Sequence, residues 1–303
     1  LGVMWFTLVQ HEPDILPAAY STIGRAMAPG RYTSAQQVRE AILQALEGLS
    51  EKGISGVGIC TDIGLVRNAN EDHHAVAQFE AGGLFILSDG MGGEAGGVIA
   101  SRLTVEIVRD TLLSALSRLP AKHSAELLWP MLQEAINQAS RAVFERAGME
   151  PALRRMGATV VIAVQLGSHL YVANVGDSRA YIVRDSQVEQ LSQDHTVVAQ
   201  LMARGDVRKE EAQDHPARGQ LIRNIGGRPT ADAHFVVRKL HQGDTVVLCS
   251  DGLTDMVSDH EIAQTISTAP TPQAASDRLV NLANSRGGPD NISLIISQYS
   301  GGT

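Results

Sequence analysis

Twice in this chain an apolar run ends on Ser-Asp-Gly. Leu84-Phe85-Ile86-Leu87 leads into Ser88-Asp89-Gly90, and Val246-Val247-Leu248-Cys249 leads into Ser250-Asp251-Gly252. A third carboxylate, Asp290, stands in Gly287-Gly288-Pro289-Asp290-Asn291, just ahead of a further strand-like run from Ile292 to Ile296. A short apolar run bounded by a turn reads as a buried strand. Glycine after the aspartate lets the backbone turn sharply or come close to a ligand. One Asp-Gly alone is an ordinary turn signal. Two matched copies and a third acid at a strand entrance demand more: a sheet architecture whose buried strands end on carboxylates.

The rest of the pattern says which architecture. Strands are expected at Val57–Thr61, Leu84–Leu87, Thr159–Leu166, His169–Val175, Arg179–Val183, Thr245–Cys249 and Ile292–Ile296. Only Gly167-Ser168 separates two of them, a two-residue hairpin turn with glycine first, so those strands should be antiparallel neighbours. Between the early and middle strands, Ile99, Leu103, Ile107, Leu112 and Leu116 mark one long helix. Leu128, Leu132, Ile136, Ala139 and Val143 mark a second, starting near Ser124. Ser258 with Glu261 three residues on forms a capping box, and a last helix covers about Pro272 to Ser285. Hairpins with helices grouped together predict an α+β fold, not a doubly wound sheet. Strands apolar on both faces predict helices covering the sheets from outside.

Hard carboxylate oxygens at strand ends suit Mg²⁺ or Mn²⁺. Zinc would call for His or Cys, and the adjacent pair His73-His74 lacks the spacing of a helical zinc site. The Gly-rich run from Gly90 to Gly97 has neither the lysine of a P-loop nor the spacing of a dinucleotide fingerprint. It suits a flexible metal-site loop that brings a backbone carbonyl to the ion. A net charge of -8 without a basic cluster argues against nucleic acid as partner. Cys60 and Cys249 lie in apolar runs and are expected to be reduced, buried thiols. No run of about 18 apolar residues occurs, and the opening LGVMWFTLVQ lacks a basic n-region and a cleavage signal. A cytoplasmic protein without membrane contact, and a monomer, is the expectation.

Seven short motifs then occur in a telling order: Asn70-Glu71-Asp72, Ser88-Asp89-Gly90-Met91-Gly92-Gly93, Gly157-Ala158-Thr159, Val175-Gly176-Asp177-Ser178-Arg179, Asp194-His195-Thr196, Ser250-Asp251-Gly252-Leu253-Thr254-Asp255 and Gly288-Pro289-Asp290-Asn291. From about Gly56 to Ser300 the chain resembles the metal-dependent, type 2C serine/threonine protein phosphatases in their bacterial form. The resemblance implies an α-β-β-α sandwich of two antiparallel sheets with a centre of two or three Mg²⁺ or Mn²⁺ ions at one end. It implies that Asp89 bridges two ions, that Gly90 offers its carbonyl, and that Asp251 and Asp290 are terminal ligands. Glu71 and Asp72 match the pair that orients metal-bound water, while Asp177 and Asp255, with Asp251, match a third metal position. Arg67 matches the phosphate-binding arginine, and a guanidinium fork suits two phosphate oxygens. The implied reaction is in-line hydrolysis of phosphoserine or phosphothreonine by a hydroxide held between the ions. Phosphorylated proteins, a cognate kinase among them, are the implied partners.

Departures from the pattern matter too. Many relatives carry a histidine where this chain has Glu94, and a glutamate serves as an acid at neutral pH only if burial raises its pKa. His195 and Arg179 read as structural residues. The polar stretch 197–228 matches the family's flap beside the active site, the source of substrate choice. Residues 1–52 form an appendage with a helix from about Ala35 to Leu46, and Arg31-Tyr32-Thr33-Ser34-Ala35 resembles the end of a protein-kinase domain, without any kinase catalytic motif. Residues 53–303 form the catalytic domain. The competing reading is a catalytically weak or inactive module of the same fold that binds phosphoproteins.

Overall fold

The computed structural model describes residues 54–79, 81–118, 125–212 and 214–301. The appendage and its expected helix lie outside these residues, as does Ser124. In chain order the elements are β1 (Ile54–Asp62), β2 (His73–Phe79), β3 (Gly82–Ser88), β4 (Gly90–Met91), α1 (Glu94–Leu116), α2 (Ala125–Met149), β5 (Gly157–Ala158), β6 (Val160–Leu166), β7 (His169–Val175), β8 (Arg179–Arg184), β9 (Gln187–Gln190), α3 (Val197–Arg204), α4 (Lys209–Ala212), β10 (His234–Lys239), β11 (Thr245–Cys249), α5 (Asp251–Thr254), α6 (Asp259–Thr268), α7 (Pro272–Ser285) and β12 (Ile292–Tyr299). One five-stranded sheet runs β1-β12-β11-β8-β9 and the other β10-β7-β6-β3-β2. Every pairing within them is antiparallel. The expected α-β-β-α sandwich is therefore what the chain adopts.

Side-chain alternation along the strands sorts the core into layers. Phe85, Leu87, Val161 and Ala163 of one sheet meet Ala180, Ile182, Val246 and Leu248 of the other in the inter-sheet core. Their neighbours Leu84, Ile86, Val160, Ile162 and Val164 face outward onto Val108, Leu112, Leu128, Leu132 and Ile136 of α1 and α2. On the opposite side Tyr181, Val183, Val247 and Cys249 pack beneath Leu253, Ile262, Leu279 and Val280 of α5, α6 and α7. Strands with both faces buried have no polar alternation, which is why their sequences read as continuous apolar runs. Leu132 is wholly buried among α1, α2 and the sheet. Leu132→Ala is expected to lower stability by about 2–5 kcal/mol, measured by urea unfolding.

Local signals act as expected at several points. Gly167 has φ 54° at the β6–β7 turn, with Leu166 paired to His169. Ser258 and Glu261 exchange both hydrogen bonds of a capping box ahead of α6. The strands not anticipated are β2, β9 and β10, all at sheet edges, together with the short β4–β5 pair. An edge strand buries one face only and carries mixed residues, so its signal is weak. The β8–β9 turn has no glycine, and Asp185 and Ser186 both take positive φ there. The expected strand from Thr159 begins at Val160 instead, because Thr159 spends its hydrogen bonds on Ser88 and Asp89. Among the described residues no helix is long and apolar enough to cross a membrane.

Candidate metal centre

The acidic residues reach one end of the sandwich through backbone stitching between strand ends. At the end of β3, Ser88 Oγ donates to the Thr159 carbonyl (2.6 Å), and the Asp89 N–H donates to Thr159 Oγ1 (3.0 Å). The Thr159 N–H returns a bond to the Asp89 carbonyl (2.8 Å). Thr159 Oγ1 also lies 2.6 Å from Ser178 Oγ, beside Asp177. One buried threonine thus ties two of the aspartate segments together. At the end of β11, Ser250 stands just ahead of α5, whose first residue is Asp251. Ser250 Oγ donates to Asp72 Oδ2 (2.8 Å) and accepts from the Ser293 N–H of β12 (3.0 Å).

Asp290 is brought in by a third set of bonds. Asn291 donates from Nδ2 to the carbonyls of Ile63 and Ala69 and accepts the Glu71 N–H at Oδ1 (2.8 Å). The loop between β1 and β2 is thereby fastened to the Asp290 loop. Glycine is required where the two meet. Gly64 has φ 78°, and a Cβ there would overlap the Asp290 carbonyl oxygen. A Cβ on Gly252 would overlap the Asn291 carbonyl and sit 3.4 Å from Asp290 Cβ.

Crowded carboxylates raise one another's pKa, since each added negative charge is opposed by burial and by its neighbours. Burial, then the charges of Asp72, Asp251, Asp177 and Asp290, push Asp89 well above the ordinary carboxylate range. Burial pushes Asp72 up to about 7, with Asp251 and Asp290 adding to the rise. Asp251 goes to about 6 through burial and the charges of Asp255 and Asp290, against a hydrogen bond with Asp89. Asp177 is also raised, by burial and by Asp251 and Asp194. Asp72 Oδ1 and Asp251 Oδ1 are buried with no hydrogen-bond partner. Unpaired carboxylate oxygens in a mutually repelling cluster fit a hard divalent cation, which would neutralise the charge and take up the orphaned lone pairs.

The fit is not a finished cage. Among the described residues no three of these side chains are closed around one point at ligating distance. Two acids are held by arginines instead: Arg67 Nη2 donates to Asp290 Oδ2 (2.6 Å), and Arg218 pairs with Asp255. The partners Thr159, Ser250 and Asn291 have no signal of their own in the sequence beyond lying in the motifs, and Arg218 has none beyond lying in the polar stretch 197–228. Ile225, from the far end of the 197–228 stretch, bridges to Ala158 of β5, and Thr196 bridges to Leu221. That stretch is thus pinned at both ends and reaches the acidic cluster through Arg218.

Other sequence candidates fall elsewhere. Arg179 makes a two-pronged pair with Asp194 (2.7 Å at its shortest) and reaches Tyr181 Oη. His195 grips Gly176 from both sides, accepting its N–H at Nδ1 (3.2 Å) and donating its own N–H to its carbonyl (3.0 Å). Burial and the Arg223 charge lower the His195 pKa to about 4, so the ring is neutral at pH 7. Partial burial and the neighbouring His73 lower the half-buried His74 to about 4 as well. His73 lies against Ser101 Oγ, which in turn donates to the Glu71 carbonyl. Glu94 opens α1, and its side chain lies outside the described residues.

The protein phosphatase 2C family model matches residues 66–283, more than half of the chain. This chain belongs to that family. The serine/threonine phosphatase stp of Listeria innocua is 34% identical over 237 residues, covering 78% of this chain and 92% of the relative. The S. agalactiae serine/threonine phosphatase structure superposes with a TM-score of 0.74 at 32% identity, over 80% of this chain and 99% of that one. The catalytic domain of the phosphatase PstP, solved in complex with two manganese ions, gives a TM-score of 0.67 at 33% identity, over 80% and 97%.

Proposed function

We propose that this protein is a metal-dependent protein serine/threonine phosphatase, with its reaction centre at the acidic end of the sandwich. The observation that carries the reading is the cluster around Asp89, whose buried neighbours hold orphaned oxygens at Asp72 and Asp251. Asp89, the Gly90 carbonyl, Asp251 and Asp290 would hold two Mg²⁺ or Mn²⁺ ions, and Asp177 and Asp255 would complete a third position beside Asp251. When bound, the ions would supply charge neutralisation at the phosphoryl group and a water of lowered pKa. Glu71 and Asp72, on the loop fastened by Asn291, would orient water at the centre. Arg67 stands at the rim with about half its side chain exposed, so its fork is accessible to a phosphate as well as to Asp290. No protein nucleophile and no covalent phosphoenzyme is needed.

The catalytic unit in this reading is residues 53–303, with 1–52 as an appendage and 197–228 as a flap over the centre. The Arg218–Asp255 pair and the two bridges at the ends of the flap support that placement. Phosphorylated proteins, a partner kinase included, are the proposed substrates. The test is release of phosphate from a phosphothreonine peptide: hydrolysis that requires Mn²⁺ and stops with EDTA is expected. Binding of the peptide without turnover would instead identify a phosphoprotein-binding module. Arg67→Ala is expected to raise KM about 10-fold with a smaller change in kcat, read from Michaelis curves at saturating Mn²⁺.

A further inference from the structure

Two adjacent large apolar side chains stand in water beside the reaction centre. Leu65 and Val66 are 67% and 66% exposed, and Ile63 is partly exposed beside them. Single exposed apolar residues are ordinary, but three within four positions form a patch. The backbone beneath them is fastened. The Leu65 N–H donates to the Gly288 carbonyl (2.8 Å), the Ile63 carbonyl accepts from Asn291, and the Gly64 N–H donates to Asp62 Oδ1 (2.8 Å), which also accepts from Asn284. Leu65 and Val66 are therefore held outward on a pinned loop, directly preceding Arg67.

We infer that Leu65 and Val66 form an apolar shelf that selects substrates by the side chain flanking the phosphorylated residue. This rests on the phosphatase reading and deepens it. With phosphate on Arg67, Leu65 lies at most about 7 Å along the chain, the reach of one or two residues of an extended peptide. The occupant is an aliphatic or aromatic side chain of the substrate, because the exposed Leu65 and Val66 side chains offer it apolar surface to bury and offer a polar one no hydrogen bond. A shelf ordered before binding loses little entropy when a side chain settles on it.

The test compares two phosphothreonine peptides of equal net charge, one with leucine and one with serine on each side of the phosphoresidue. The wild-type protein with Mn²⁺ is expected to favour the leucine peptide about 10-fold in kcat/KM, mainly through KM. In Leu65→Ser/Val66→Ser the ratio should fall to within about twofold of unity, with the melting temperature of the variant confirming that it is folded. Leu65→Glu, a single change at an exposed site, should reduce the ratio in the same direction. Equal turnover of the two peptides by the wild type, or an undiminished ratio in a folded variant, overturns the shelf and leaves the phosphatase reading standing. No Mn²⁺-dependent hydrolysis of either peptide or of p-nitrophenyl phosphate by the wild type overturns both.

Discussion

Asp251→Asn is expected to make the metal-free protein more stable while removing its activity. Burial and the charges of Asp255 and Asp290 hold the Asp251 carboxyl at about 6, above its ordinary value. An acid whose folded pKa is raised costs stability once it ionises. The cost is absent below the unfolded pKa of about 4, grows as pH rises toward 6, and is fully present above that. The neutral amide should therefore add about 3 kcal/mol at pH 7.5, raising the melting temperature by roughly 8 °C. The gain should fade as pH falls from 6 to 4. With Mn²⁺ added the order should reverse, because the wild type gains binding free energy that the variant lacks. Hydrolysis of the phosphothreonine peptide should fall on the order of a thousandfold. Scanning calorimetry with and without Mn²⁺ at two pH values reads every part of this. Near-normal activity in the variant would sink the assignment of Asp251 as a ligand.

Gly97→Ala should do harm in a place where helix propensity says it should help. Gly97 lies within α1, and alanine is favoured over glycine in a helix interior by about 1 kcal/mol. Here an added Cβ would overlap Glu71 Oε2, lie 2.6 Å from Glu71 Cδ, and come within 2.9 Å of the Gly90 carbonyl carbon. The Glu71 backbone cannot step aside. It is buried, its N–H is held by Asn291 and its carbonyl by Ser101. Alanine must displace either the Glu71 side chain or the Gly90 backbone, and both belong to the proposed centre. A loss of about 1–3 kcal/mol in stability is expected from overpacking, with kcat/KM falling roughly 10- to 100-fold. Gly148 in α2 supplies the control, because a Cβ there meets nothing within 4 Å. Gly148→Ala should keep full activity and gain stability of up to about 1 kcal/mol. Equal behaviour of the two variants would show that the contact between α1 and Glu71 does not constrain the site.

Much of the sandwich was legible from local pattern. The runs ending at Asp89 and Asp251 are buried on both faces, and continuous apolarity over a strand length has few other readings. The β6–β7 hairpin was legible because Gly167 leads a two-residue turn, and α6 because Ser258 and Glu261 cap it. The edge strands β2 and β10 were not, since residues such as His73, Gln78 and Arg238 carry no consistent period. Nor was the β8–β9 turn, where Asp185 and Ser186 take up the positive φ that glycine usually supplies.

Which acids the chain places at strand ends was determined by the sequence alone, through two Ser-Asp-Gly turns and Gly-Gly-Pro-Asp-Asn. Tertiary structure decided what each acid faces. That Ser250 donates to Asp72, that Asn291 fastens the Glu71 loop, and that arginines at 67 and 218 hold Asp290 and Asp255 all depend on segments distant in the chain meeting at one end of two packed sheets. Turns and strands follow from contacts a few residues apart. The charge environment of a carboxylate follows from whatever packing brings near it, and those neighbours lie up to some two hundred residues away along the chain.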